Sequence, residues 1–75
     1  MADEAETGSA SAHGAVVFIR QEQVLERTSL TRSTLYEMIA KGSFPPPLKL
    51  NERINAWPEH EVAEWQRERM AARAH

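Results

Sequence analysis

Apolar residues fall into short groups along the chain, and each group carries its own period. Val16 to Arg20 is short, β-branched and aromatic, which predicts a lead-in strand or extended segment. Helix formers follow from Gln21 to Thr28, with Val24 and Leu25 turned inward, until Ser29 and Leu30 interrupt them. Thr31 is placed to cap a second helix, because its hydroxyl accepts from the first free amides. In the helix predicted from there to Lys41, Leu35, Met38 and Ile39 are spaced by three and four and form one apolar stripe. Gly42 suits a left-handed C-cap, and Pro45, Pro46 and Pro47 forbid continuation.

Beyond the prolines the period changes to two. Leu48-Lys49-Leu50 alternates as a strand, Asn51-Glu52-Arg53 supplies a polar turn, and Ile54 to Trp57 returns as the partner strand. Phe44, Leu48, Leu50, Ile54 and Trp57 are expected to pack this hairpin onto the helices. Pro58 suits the first turn of a final helix, where Glu59 and Glu61 complement the positive end. Val62 and Trp65 turn that helix back to the core, with Trp57 and Trp65 as anchors. The predicted fold is mainly α with a small β-hairpin: two helices, a short wing and a C-terminal helix.

Composition confines this fold to part of the chain. Met1 to Ala15 is Ala, Ser, Gly and acid, too poor in apolar surface to offset its ordering entropy. Residues 1–15 are therefore read as a disordered tail, 16–69 as the folded domain and 70–75 as a frayed end. No Cys is present to add disulfides or thiolate ligands. Asp3, Glu4 and Glu6 stand where a signal peptide would be basic, and no apolar run is long enough to span a bilayer, so a cytoplasmic, nucleoid-associated location is expected.

The net charge of −2 conceals segregation. Between Arg27 and Arg53, Arg27, Arg32, Lys41, Lys49 and Arg53 face only Glu37 and Glu52, whereas the tail holds three acids and no base. Polyanion binding follows the field at one face and not the total. Catalytic classes find no support. His13, His60 and His75 are scattered, and no phosphate loop, nucleophile elbow or triad is present. Neither metal nor cofactor is expected, and the chain is not read as an enzyme. Glu61, Glu64 and Glu68 read as a solvated face, and Arg27 as pairing with Glu26 or Glu22.

A braced second helix with a polar N-terminal face is what a major groove accepts. With the apolar stripe inward, Ser33 and Glu37 point outward, Arg32, Thr34 and Tyr36 lie on the flanks, and Lys41 is at the far end. Arg32 suits guanine or phosphate, Ser33 and Thr34 bases or backbone, and Glu37 cytosine N4. Tyr36 suits a sugar or thymine methyl through its ring and a phosphate through its hydroxyl, or packing on the helix flank. Thr31 starts this reading face. Lys49, Asn51 and Arg53 on the hairpin are placed for backbone or the adjacent minor groove.

The run from Thr28 to Trp65 resembles the AlpA family of phage-related transcriptional regulators, relatives of excisionase and MerR-type winged helix-turn-helix domains. The residues that carry the resemblance are Thr28, Leu30, Thr31, Ser33 and Tyr36, then Gly42, Phe44, Pro45, Pro47, Lys49, Leu50 and Arg53, and finally Trp57, Glu61, Val62 and Trp65. Glu37 departs from the basic residue common there, and Asn51-Glu52 from a Gly-containing turn. The resemblance implies a sequence-specific double-stranded DNA-binding transcriptional regulator or an excision accessory factor. Expected partners are duplex DNA, RNA polymerase or a recombinase, and further copies that pair in solution or cooperate on DNA. The competing reading is a protein-interaction adaptor using the acidic last helix, Glu59 to Glu68.

Overall fold

A computed structural model describes residues 15–73, so the predicted tail lies outside the described residues except for Ala15. The elements run β1 (Phe18–Ile19), α1 (Gln21–Thr28), α2 (Arg32–Ala40), β2 (Leu48–Lys49), β3 (Asn55–Pro58) and α3 (Glu59–Ala72). This is the predicted winged architecture, with one strand more. The lead-in segment is a true strand, and it makes the sheet three-stranded in the order β1-β3-β2, antiparallel throughout. Helix α3 continues to Ala72, past the limit of 69 assigned to the domain.

Each helix boundary has a local cause. The Thr31 hydroxyl accepts from the Thr34 amide at 3.2 Å and caps α2 as the sequence predicts. At the far end Lys41 is the C-cap, one residue beyond the helix, and Gly42 takes φ +80°. The Ser43 amide then donates to the Met38 carbonyl and the Gly42 amide to that of Ile39, a Schellman closure. Ser29 ends α1 in the left-handed region at φ 62°, an uncommon position for a residue with a Cβ, and this single residue turns the chain from α1 into α2. Pro58 is the N-cap of α3 and the last residue of β3, so it stands just outside the first turn.

The core is Ile19, Val24, Leu35, Phe44, Trp57 and Val62, with Leu25, Leu30, Met38, Ile39 and Trp65 half-buried around it. Trp57 is fully buried, and its indole N–H donates to the Pro45 carbonyl at 2.9 Å. Trp65 donates to the Ser43 carbonyl at 2.8 Å and meets Phe44 edge-on with centroids 4.8 Å apart. Two indoles thus fasten the Ser43–Pro45 segment, which leads into three prolines that cannot donate to a ladder themselves.

Register sorts the sheet into two unlike faces. Phe18 pairs with Pro58, Ile19 with Trp57, Leu48 with Ala56 and Lys49 with Asn55. Partners share a face and neighbours alternate, so Ile19, Trp57, Asn55 and Lys49 lie on one side. Phe18, Pro58, Ala56 and Leu48 lie on the other. This corrects the expectation that Leu48 and Leu50 pack the wing onto the helices: both are 47% exposed. Ala56, the partner of Leu48, and Pro58 on the same face are buried, so cover reaches the central strand β3 and stops short of β2, which leaves Leu48 and Leu50 partly in solvent.

Arg27 also departs from the pairing expected of it. It ion-pairs at 2.7 Å with Glu59 of α3, not with its own helix, and its carbonyl accepts from the Gln66 side chain at 2.7 Å. The last turn of α1 is therefore held against α3. Among the described residues no helix is long and apolar enough to cross a membrane, and no group of three His, Cys, Asp or Glu is placed to hold a metal ion.

Candidate nucleic-acid interface

Helix α2 presents two exposed rows. Ser33, Glu37 and Lys41 follow one another at intervals of four and point to solvent. Arg32 and Tyr36 form the neighbouring row, on the flank towards α1 and the wing. The Tyr36 hydroxyl donates to the Gln21 side-chain oxygen at 2.7 Å, which ties the middle of α2 to the start of α1. Its ring remains 37% exposed. The proton proposed for a phosphate is thus already given to Gln21.

The threonines are also partly committed. Besides capping the helix, the Thr31 hydroxyl donates to that of Thr34 at 2.9 Å, and Thr34 is half-buried. Arg32, Ser33, Glu37 and Lys41 are exposed, and none of them forms an ion pair among the described residues.

The wing is built around Asn51. Its side-chain oxygen accepts from the amides of Arg53 at 2.7 Å and Ile54 at 2.8 Å, an Asx turn that closes the hairpin without a Gly. The Leu50 amide donates to the Ile54 carbonyl at 2.7 Å just inside it. Asn51 is accordingly a structural residue whose oxygen is spent on the turn, with only its amino group left for a ligand. Lys49 and Arg53 are exposed, and the register places Lys49 on the same side of the sheet as Asn55 and Trp57.

Between wing and helices lies a cleft of about 530 Å³. Arg20, Gln21 and Glu22 wall it at the start of α1, Tyr36 at α2, and Arg53 and Asn55 at the wing, with Trp57 beneath. The fold thus brings Tyr36 and Arg53 to one cavity. Arg20 joins them there although the helix-turn-helix pattern gave it no part. The signal was present in the sequence: Arg is a poor N-cap residue, since it has no acceptor, yet it stands immediately before α1. The cap is made instead by Gln23, whose side chain accepts from the Arg20 amide at 3.1 Å, leaving the guanidinium outside the cap.

A second concavity, of about 630 Å³, lies between the Gly42–Pro46 turn and the end of α3, and a third, of about 350 Å³, is lined by Pro45, Trp65, Glu61, Glu64 and Glu68. The Arg69 guanidinium sits 5.1 Å from the Trp65 ring centroid at this end.

No solved structure matches the chain. A protein of Enterobacteria phage P4, "Uncharacterized protein ORF88", is 43% identical over 56 residues, covering 75% of this chain and 64% of the phage protein. The model of the family described as "Prophage CP4-57 regulatory protein (AlpA)" matches residues 17–70, which takes in every element of the fold except the last two residues of α3. The chain belongs to this AlpA family of phage regulatory proteins.

Proposed function

We propose that the chain is a sequence-specific double-stranded DNA-binding regulator or excision accessory factor, with α2 in the major groove and the wing on backbone and minor groove. The observation that carries this reading is the shared side of two cationic elements. Tyr36 of α2 and Arg53 of the wing border one cleft with Arg20; Arg32 and Lys49 are exposed on the same two elements, and Glu61, Glu64 and Glu68 of α3 line a different concavity. Arg32, Ser33 and Glu37 read base edges, Lys41 contacts the backbone at the far end of α2, and Lys49 and Arg53 bind phosphates.

The test is selection of bound sequences from a random duplex pool, followed by titration of the selected site against salt. A selected motif and a binding constant that falls steeply with salt support the reading. Failure of the chain to retain any duplex at low salt refutes it. A motif with dyad symmetry would also reveal a two-copy assembly, in solution or on DNA.

The acid-lined concavity beside Trp65 supports a second role for α3, contact with a protein such as RNA polymerase or a recombinase. Under that role, Glu61→Lys with Glu64→Lys abolishes regulation or excision and leaves duplex affinity intact. Retention of full regulatory output by that pair of substitutions removes the second role.

A further inference from the structure

A helix seated in the major groove and a wing in the neighbouring minor groove are separated by one strand of phosphates. That strand has to pass between them. In this fold the space between α2 and the wing is the cleft that carries Arg20 on one wall and Arg53 on the other. We propose that Arg20 and Arg53 clamp this phosphate strand from two sides, making Arg20 a DNA-binding residue in addition to those of the helix-turn-helix and wing. The proposal rests on the reading of the protein as a duplex-DNA binder.

Each arginine has a fixed base and an uncommitted head. The Arg20 carbonyl accepts from the Gln23 and Val24 amides at 3.0 Å each, and its own amide donates to Gln23, so its backbone is locked at the α1 cap. The Arg53 amide donates to Asn51 at 2.7 Å, which locks the other wall. Both residues are exposed, and neither forms an ion pair among the described residues, unlike Arg27 with Glu59. A planar guanidinium with paired N–H donors matches phosphate oxygens in two-point contact. The start of α1 adds the positive end of a helix at the same wall. The Tyr36–Gln21 hydrogen bond ties the start of α1 to α2, which fixes the Arg20 wall relative to the reading helix.

Glu22 lines the same cleft and opposes the anion. Its presence yields a sign test. Neutralising Glu22 should strengthen binding, whereas neutralising either arginine should weaken it.

The experiment measures affinity for the selected duplex and for a random duplex between 0.05 and 0.5 M salt, using the full chain and its Arg20→Gln, Arg20→Lys, Arg53→Gln, Glu22→Gln and Arg67→Gln variants. One lost phosphate contact lowers the salt slope by about 0.9 and weakens binding roughly eight-fold at 0.1 M salt, equally on both duplexes. Arg20→Gln and Arg53→Gln should each show this loss, with Arg20→Lys recovering most of it and Glu22→Gln binding more tightly. Arg67→Gln on α3 should match the wild type. An unchanged slope for Arg20→Gln with normal wild-type binding overturns the clamp alone. A wild type that binds neither duplex overturns the DNA reading and the clamp with it. A loss that Lys does not recover, with the slope unchanged, assigns Arg20 a structural part and also overturns the clamp.

Discussion

Asn51 offers a way to separate the shape of the wing from its charge. Its side-chain oxygen accepts from two amides, at 2.7 and 2.8 Å, and both bonds are solvent-exposed. Asn51→Ala removes both, and the stranded amides find water, so each bond counts at the low end of about 0.5–1.5 kcal/mol. The loss is about 1 kcal/mol, which lowers Tm by about 4–8 °C in a domain of this size. Asn51→Asp keeps the acceptor and charges it, so the turn is retained or slightly strengthened. The new charge, however, sits at the wing tip. With a phosphate about 7 Å away in water, the repulsion is about 0.6 kcal/mol, close to a three-fold loss of affinity at low salt. Thermal unfolding and fluorescence anisotropy on a labelled duplex, run on both variants, read the two effects independently. If Asp destabilises as much as Ala, the Asx turn is not what closes the hairpin. If Asp is stable and binds duplex as well as wild type at low salt, the wing tip does not approach phosphate.

Other substitutions test the scaffold. Ser29 holds φ 62°, where a Cβ costs roughly 1 kcal/mol, so Ser29→Gly should raise Tm; a fall would show that Ser29 has a role beyond turning the chain. Gly42→Ala introduces a Cβ that meets nothing within 4 Å, so its cost is backbone strain alone, about 1–2 kcal/mol at φ +80°, and urea titration should return that value with an unchanged m-value. Arg27→Ala breaks a half-exposed ion pair and should cost no more than about 1 kcal/mol while leaving duplex affinity intact. Trp57→Ala empties the largest fully buried site, a loss of about 3–5 kcal/mol that equals the stability available to so small a domain. Circular dichroism at 25 °C should find that variant unfolded.

Local rules made much of this fold legible. The Thr31 cap, the Leu35 stripe, the Gly42 stop and the change to period two at Leu48 each act within a few residues, so the sequence displays them directly. What it did not display are relations set by packing. The strand status of Phe18–Ile19 depends on a partner nearly forty residues away. The exposure of Leu48 and Leu50 follows from their place on the edge strand, beyond the cover that buries Ala56 and Pro58, and alternation marks an apolar face without showing whether another element covers it. Arg27 found Glu59 because α1 and α3 meet, and sequence proximity favoured Glu26 and Glu22 instead. The place of Arg20 in the cleft is likewise a property of three elements converging, and its only local mark is that an Arg, with no side-chain acceptor, stands at a helix N-cap.

The side chains left over after folding bear on how such a protein would recognise DNA. Four residues expected at the interface already form internal hydrogen bonds: Thr31 with Thr34, Tyr36 with Gln21, and Asn51 with its own turn. In a domain near the lower size limit for a single core, these bonds fix the reading helix and the wing where buried area is scarce. Under the proposed reading, their commitment leaves base readout to Arg32, Ser33 and Glu37, and leaves Lys41, Lys49 and the arginines of the cleft to phosphates. Phosphate contacts are blind to sequence, and two or three base-reading groups at about 1–3 kcal/mol each cannot deliver a large specificity ratio from one copy. Under the proposed reading, discrimination must then come from DNA deformability, from a second copy on an adjoining site, or from both. A selected motif that extends beyond the three or four base pairs that α2 can touch would separate these routes: a repeated half-site points to the second copy, and conserved positions under the wing point to groove shape.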